Sequence, residues 1–150
     1  MVLTVSDSRT RRDDTSGATI VESLKKNGHR VVDYEIVPDS IDAIRGAFET
    51  ARDSNEVDVT IITGGTGIAA RDVTIEAVKP LLTRELPGFG ETFRSLSFAD
   101  IGAHALLSRA FAGTSAHMLV FALPGSPKAC ELAMEKLVLP LLAHGITLLR

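Results

Sequence analysis

The sequence has a single cysteine, Cys130, no tryptophan and one tyrosine. One thiol cannot form an intrachain disulfide, so no covalent framework staples this chain, and a reducing compartment, the cytoplasm, is the expected location. Positive charge is not in excess: 16 Lys and Arg stand against 19 Asp and Glu, a formal net charge of −3. That balance offers no broad basic face and argues against nucleic acid as a partner. The one basic cluster, Arg9-Thr10-Arg11-Arg12, runs straight into Asp13-Asp14 and reads as a solvated loop or at most a local anion contact. No secretory leader is recognisable, since Met1 leads almost directly into a strand. No apolar run reads as long enough to span a membrane, so no membrane partner is expected. Repeats, linkers and low-complexity segments are missing too. What remains is 150 residues, 45% hydrophobic and 23% charged, the profile of one globular domain over residues 1–150. A chain of that length buries roughly 70% of the surface it would expose unfolded, enough for a real core.

The order of elements is legible from periodicity. Residues 2–5 read as a short buried strand and 6–13 as a polar loop. Asp14-Thr15-Ser16 then offer N-cap residues for a helix marked by Ile20, Val21 and Leu24 and closed by Asn27-Gly28. Residues 31–37 read as a second strand. Pro38-Asp39-Ser40 opens a helix with Ile41, Ile44, Phe48 and Ala51 on one face. Residues 57–62 form the third strand, followed by a glycine-rich turn and a helix beginning at 73–78. This βαβαβα alternation implies a parallel sheet with right-handed crossovers. Further on, 85–91 reads as a loop, 93–98 and 102–107 as short helices, and 109–112 with 117–123 as an antiparallel hairpin across 113–116 that extends the sheet. Pro124-Gly125-Ser126-Pro127 leads into a last helix, with Ser126 as N-cap and Pro127 at N1, whose apolar face carries Ala129, Cys130, Ala133, Leu137 and Leu141.

The run Thr63-Gly64-Gly65-Thr66-Gly67-Ile68-Ala69-Ala70-Arg71-Asp72 carries the most chemistry. Glycines between a strand and a helix let the backbone turn with positive φ and let an anion approach the main chain. The helix N-terminus beyond adds a partial positive charge, so a phosphate site is the first expectation. The Walker A template fails, because Gly67 is followed by Ile68-Ala69-Ala70 and not by Lys and a hydroxyl residue. The dinucleotide fingerprint fits formally as Gly65-x-Gly67-x-x-Ala70, but at the third strand–helix turn and not the first. A nicotinamide-dependent oxidoreductase would rest on that match alone. A tight turn without a ligand is the bland alternative.

In an open parallel sheet, ligands bind outside the carboxyl ends of the strands. Loops carrying Ser6-Asp7, Pro38-Asp39, residues 63–72 and residues 124–127 leave those ends and should converge. Asp39 and Asp72, beside a phosphate loop, can hold Mg²⁺, which commonly bridges carboxylates and phosphates. Both also stand where a helix N-cap is wanted, and capping is the commoner use of Asp there. Asp7 can close a turn. Ser126 reads as a cap and not a nucleophile, lacking the G-x-S-x-G context. Glu76, four residues after Asp72, either lines the site or complements the helix dipole. His29, His104, His117 and His144 lack ligand spacing, and Cys130 reads as core.

The wording of the motifs then adds what their geometry does not. Residues 63–67 followed by Arg71-Asp72-Val73-Thr74 and Glu76-Ala77 resemble the signature of the molybdopterin adenylyltransferase family, the MoaB/MogA type. So do Leu86-Pro87-Gly88-Phe89-Gly90-Glu91 with Phe93-Arg94, Leu107-Ser108-Arg109-Ala110 with Ala112-Gly113, Leu123-Pro124-Gly125-Ser126-Pro127, and Val5-Ser6-Asp7 with Asp14-Thr15-Ser16-Gly17. These matches follow family order along nearly the whole chain, and Phe98-Ala99-Asp100-Ile101-Gly102 is closer to the MoaB branch. The resemblance implies a three-layer α/β/α sandwich, a homotrimer or homohexamer, and work in molybdenum cofactor synthesis. The implied reaction is adenylylation of molybdopterin by Mg²⁺ and ATP, with release of pyrophosphate and a product primed for a molybdenum insertion protein. Asp39 and Asp72 would be the essential acids, Asp39 holding Mg²⁺. Gly64, Gly65, Thr66 and Gly67 would hold phosphate, with Ser6, Thr66 and Thr74 as hydroxyl donors. Pro124, Gly125, Ser126 and Pro127 would border the pterin or adenylate. Since branch members differ in activity, a protein that binds molybdopterin or scaffolds the pathway without catalysis is the alternative.

Overall fold

The computed structural model describes residues 1–150 and has the α/β architecture expected. A six-stranded sheet runs in the order β2-β1-β3-β6-β5-β4. Its strands are β1 (Val2–Val5), β2 (Tyr34–Val37), β3 (Val59–Thr63), β4 (Arg84–Glu85), β5 (Phe111–Ser115) and β6 (Met118–Leu123). The first four in spatial order are parallel, with Val2 opposite both Tyr34 and Ile61, and Thr63 opposite Leu123. β5 and β4 are antiparallel. The helices are α1 (Thr15–Lys26), α2 (Ile41–Asp53), α3 (Thr74–Val78), α4 (Pro87–Ile101), α5 (Pro127–Ala133) and α6 (Leu139–Leu149).

Helices cover both faces, each over its own core. On one side Ile20 and Leu24 of α1, Phe89 and Phe93 of α4, and Cys130, Met134 and Leu142 pack on Val2, Ile61, Phe121 and Leu123. On the other, Ile44, Ala47, Phe48 and Ala51 of α2, with Ala77 and Val78, pack on Leu3, Val5, Ile62 and Val120. Strands buried on both faces need near-continuous apolar runs, and β6 is buried at all six positions. Phe121 is fully buried, its ring 5.4 Å from that of Phe89.

Local chemistry explains most boundaries. Asp14 caps α1 by accepting from Gly17 N–H at 2.9 Å, and Gly28 beyond its end takes φ +80°. Ser126 caps α5, accepting from Ala129 N–H at 3.2 Å, with Pro127 at N1. Pro140 cannot donate back along the chain, and the turn before it, Met134–Val138, widens to π geometry.

Several expectations are corrected. The second and third strands begin later than read, at Tyr34 and Val59. The loop at 85–91 is instead the end of β4 and the start of α4, whose N1 is Pro87. The hairpin turns at Ala116 (φ +52°) and His117, so Gly113–Ser115 belong to β5. A Cβ on Gly113 would lie 2.4 Å from Arg84 O, which is why β4 can approach there. The stretch Pro127–Leu149 is 23 residues long and, by length and composition, apolar enough to cross a membrane, contrary to the sequence reading. Here it packs Cys130, Ala133, Met134, Val138 and Leu142 into the core.

Candidate functional site

A cleft of about 460 Å³ opens at the carboxyl ends of β1, β2, β3 and β6, and its wall is almost wholly polar. All four predicted loops reach it. Ser6 and Asp7 come from the loop after β1, Asp39 from that after β2, Gly64, Gly65, Thr66, Gly67 and Asp72 from that after β3, and Pro124, Gly125 and Ser126 from that after β6.

The glycine-rich loop after β3 takes its shape from its glycines. Gly64 and Gly65 have φ of +101° and +64°, and a Cβ on Gly64 would lie 2.3 Å from Val5 O. Thr74 Oγ1 donates to Gly64 O at 2.8 Å, and Thr74 N–H to Gly65 O at 3.1 Å, closing the loop on itself. The amides of Gly65, Thr66 and Gly67 donate to no group of the protein. Successive unpaired amides on a loop with consecutive positive φ form a concave anion-binding surface. The helix contribution is smaller than expected, because α3 has only five residues and begins at Thr74.

The two acids are released from helix capping. α2 is capped by Ser40, whose hydroxyl accepts from Ala43 N–H at 3.5 Å. Val73 stands at the N-cap of α3 and gives no side-chain cap. Asp39 Oδ2 instead accepts from Asp7 N–H at 3.1 Å while Asp7 Oδ1 accepts from Asp39 N–H at 3.0 Å, a reciprocal clasp between the loops after β1 and β2. Asp72 Oδ2 accepts from Ala69 N–H at 2.8 Å. Burial, then the charges of Asp7 and Asp72, push the Asp39 carboxyl above its ordinary range, against the Asp7 amide and the Arg71 charge. Three carboxylates thus share one electrostatic neighbourhood with a guanidinium. No three His, Cys, Asp or Glu side chains converge as a cation site of their own.

Thr74, Glu76 and Pro127 do not reach the cleft wall. Thr74 is fully buried as a strut of the loop. Glu76 pairs with Arg109 at 2.5 Å, and that guanidinium holds its carboxyl below the usual range. Pro127 opens α5. Other residues on the wall were not singled out as site residues: Arg9, Arg71, Asp14, Ser16 and Ser108. Arg71 stood inside the recognised motif, and Arg9 in the cluster read as solvated. Asp14, 4% exposed, accepts from the Tyr34 hydroxyl as well as from Gly17, and burial with that carboxylate pushes the phenol up to about 12. Ser108 stood in the recognised motif at 107–110 without an assigned role, and the fold brings it to the wall. At the floor, Thr63 shares Pro124 O with Cys130 beneath it, and burial pushes the thiol up. The dinucleotide template loses its footing, since Ala70 lies exposed in a turn where that fingerprint needs a small residue between helix and strand.

The family profile described as "Probable molybdopterin binding domain" matches residues 1–144. Molybdenum cofactor biosynthesis protein B of Bacillus subtilis (strain 168) is 49% identical over 150 residues, covering 99% of this chain and 88% of that protein. A crystal structure of a molybdenum cofactor biosynthesis protein B superposes with TM-score 0.96 at 48% identity, covering 99% of this chain and 92% of that one. A structure of MogA superposes with TM-score 0.88 at 28% identity, covering 99% and 97%. With the cleft, the loop and these likenesses in agreement along the chain, it belongs to the molybdopterin-binding family of molybdenum cofactor biosynthesis proteins, on its MoaB branch.

Proposed function

We propose that this chain transfers the adenylyl group of ATP, with Mg²⁺, to the terminal phosphate of molybdopterin. An oxygen of the pterin phosphate attacks the α-phosphorus of ATP. The bond to the bridging oxygen breaks, its electron pair leaves with pyrophosphate, and adenylyl-molybdopterin forms. Two anions must be brought in line against their repulsion, so positioning and charge neutralisation do most of the catalysis.

This chain's residues suit that task. The free amides of Gly65, Thr66 and Gly67 give fixed donors to one phosphate group, and Arg9 and Arg71 add positive charge at the same wall. Ser6 Oγ accepts from the amides of Ser8 and Arg9, which leaves its proton free for a phosphate oxygen. Asp39 and Asp72 offer hard oxygen donors and would hold Mg²⁺. When bound, that ion stabilises charge on the departing pyrophosphate. Pro124, Gly125 and Ser126 border the space for the pterin or the adenylate. The reading carries with it a homotrimer or homohexamer in the cytoplasm, a single domain, and a molybdenum insertion protein as recipient of the product.

The observation that carries the proposal is that both acids, free of helix capping, share one cleft with three unpaired amides. Pyrophosphate release with molybdopterin, Mg²⁺ and ATP tests it, comparing wild type with Asp39→Asn and Asp72→Asn. Pterin-dependent release that both substitutions abolish is expected. Pterin binding without release by the wild type would identify a carrier and refute the transfer.

A further inference from the structure

Arg109 lies just before β5 and takes no part in the cleft wall, yet it holds the phosphate loop at several points. Its main-chain N–H donates to Thr66 O at 2.8 Å. Its side chain donates from Nε to Gly67 O at 2.6 Å and from Nη2 to Asp72 O at 2.7 Å. Nη1 meets Glu76 Oε1 at 2.5 Å. The partners lie 33 to 43 residues away in sequence, so this is a tertiary tie and not a local turn.

A trans peptide points its C=O and its N–H in opposite directions. Fixing Thr66 O on Arg109 therefore turns the next amide, Gly67 N–H, away from Arg109, and Gly67 is on the cleft wall with its amide unpaired. Fixing Gly67 O and Asp72 O with one planar guanidinium ties together the two ends of the segment that carries the Asp72 carboxylate. Glu76 occupies the remaining edge of the guanidinium and offsets its charge, which keeps Arg109 on the loop and off the anion. A lysine has a single ammonium and cannot span these acceptors.

We propose that Arg109, oriented by Glu76, is a positioning residue that presets the amides of the phosphate loop and the place of Asp72 before substrate arrives. It rests on the adenylyl-transfer reading for its catalytic consequence, but its structural content stands apart from that reading. The test uses the full chain as Arg109→Gln, Arg109→Lys and Glu76→Gln. Two things are read: steady-state pyrophosphate release with molybdopterin and Mg-ATP, and hydrogen exchange at the protected amides of Ala69, Asp72 and Thr74. Both Arg109 variants should lower kcat about 100-fold, the scale of an ångström's misplacement, and leave KM for Mg-ATP within about threefold. Exchange at the three amides should accelerate while β1 and β6 stay protected. Glu76→Gln, at an exposed position, should show the same pattern more weakly. Wild-type kcat in Arg109→Lys would overturn the proposal. So would a rise in KM with kcat unchanged, or exchange no faster than wild type. Should the wild type release no pyrophosphate, the transfer reading falls. The exchange arm then still decides the tie: faster exchange upholds it and unchanged exchange refutes it.

Discussion

Adjacent residues at the end of β2 divide two jobs that sequence alone could not separate. Ser40 caps α2 while Asp39 faces the cleft, so their substitutions should dissociate stability from turnover. Ser40→Ala should cost about 1 kcal/mol, or less given the long 3.5 Å contact, with pyrophosphate release near wild type. Asp39→Asn should do the reverse. Because the folded protein raises the Asp39 carboxyl, the native state holds a proton there more tightly than the unfolded chain does. Ionised Asp39 therefore costs stability at neutral pH, and that cost disappears as pH falls through its raised value. Asp39→Asn should melt at or above the wild-type temperature at pH 7, and the difference should vanish in acid, as thermal scans across pH will show. For the same reason the acid limb of kcat/KM should lie above the ordinary aspartate range, at higher pH than a solvent-exposed carboxylate would place it.

At the scale of elements, what could be read in advance was what short-range chemistry sets. Asp14, Asn27-Gly28 and Ser126-Pro127 mark helix ends in their own neighbourhoods, and α1 and α5 start where they point. The convergence of four loops followed from the parallel order of the strands. β4 was illegible because its two exposed residues have no strand pattern and exist only by pairing with Gly113 and Thr114 of β5. The start of α4 was hidden because Pro87 and Gly88, breakers inside a helix, are tolerated in its first turn. Helical position does not reveal that Gly64 O and Arg109 take the polar groups of Thr74 and Glu76. The glycine-rich loop makes its own prediction. Gly64→Ala would put a side chain at φ +101° and 2.3 Å from Val5 O, and should cost several kcal/mol, on the order of 2–4, in chemical denaturation, with loss of phosphate binding.

On the scale of the whole molecule, the sheet is a plate between two separate cores, and its strand ends set the spacing of the cleft's walls. Phe121, buried at the centre of one core against Phe89, is the place to loosen that plate. Phe121→Ala should cost about 3–5 kcal/mol by equilibrium unfolding without touching any residue of the cleft. The acids hang from different strand ends of this plate, and each has one oxygen already engaged by a main-chain amide: Asp7 Oδ1, Asp39 Oδ2 and Asp72 Oδ2. These bonds fix the orientation of each carboxylate at its loop. Two acids, Asp39 and Asp72, are few donors, which suits a compact octahedral ion that draws its other ligands from phosphate and water, whereas calcium takes six to eight oxygens. On the adenylyl-transfer reading, a cleft with so few acids should favour magnesium, and calcium substituted for it in the pyrophosphate assay should support little or no release.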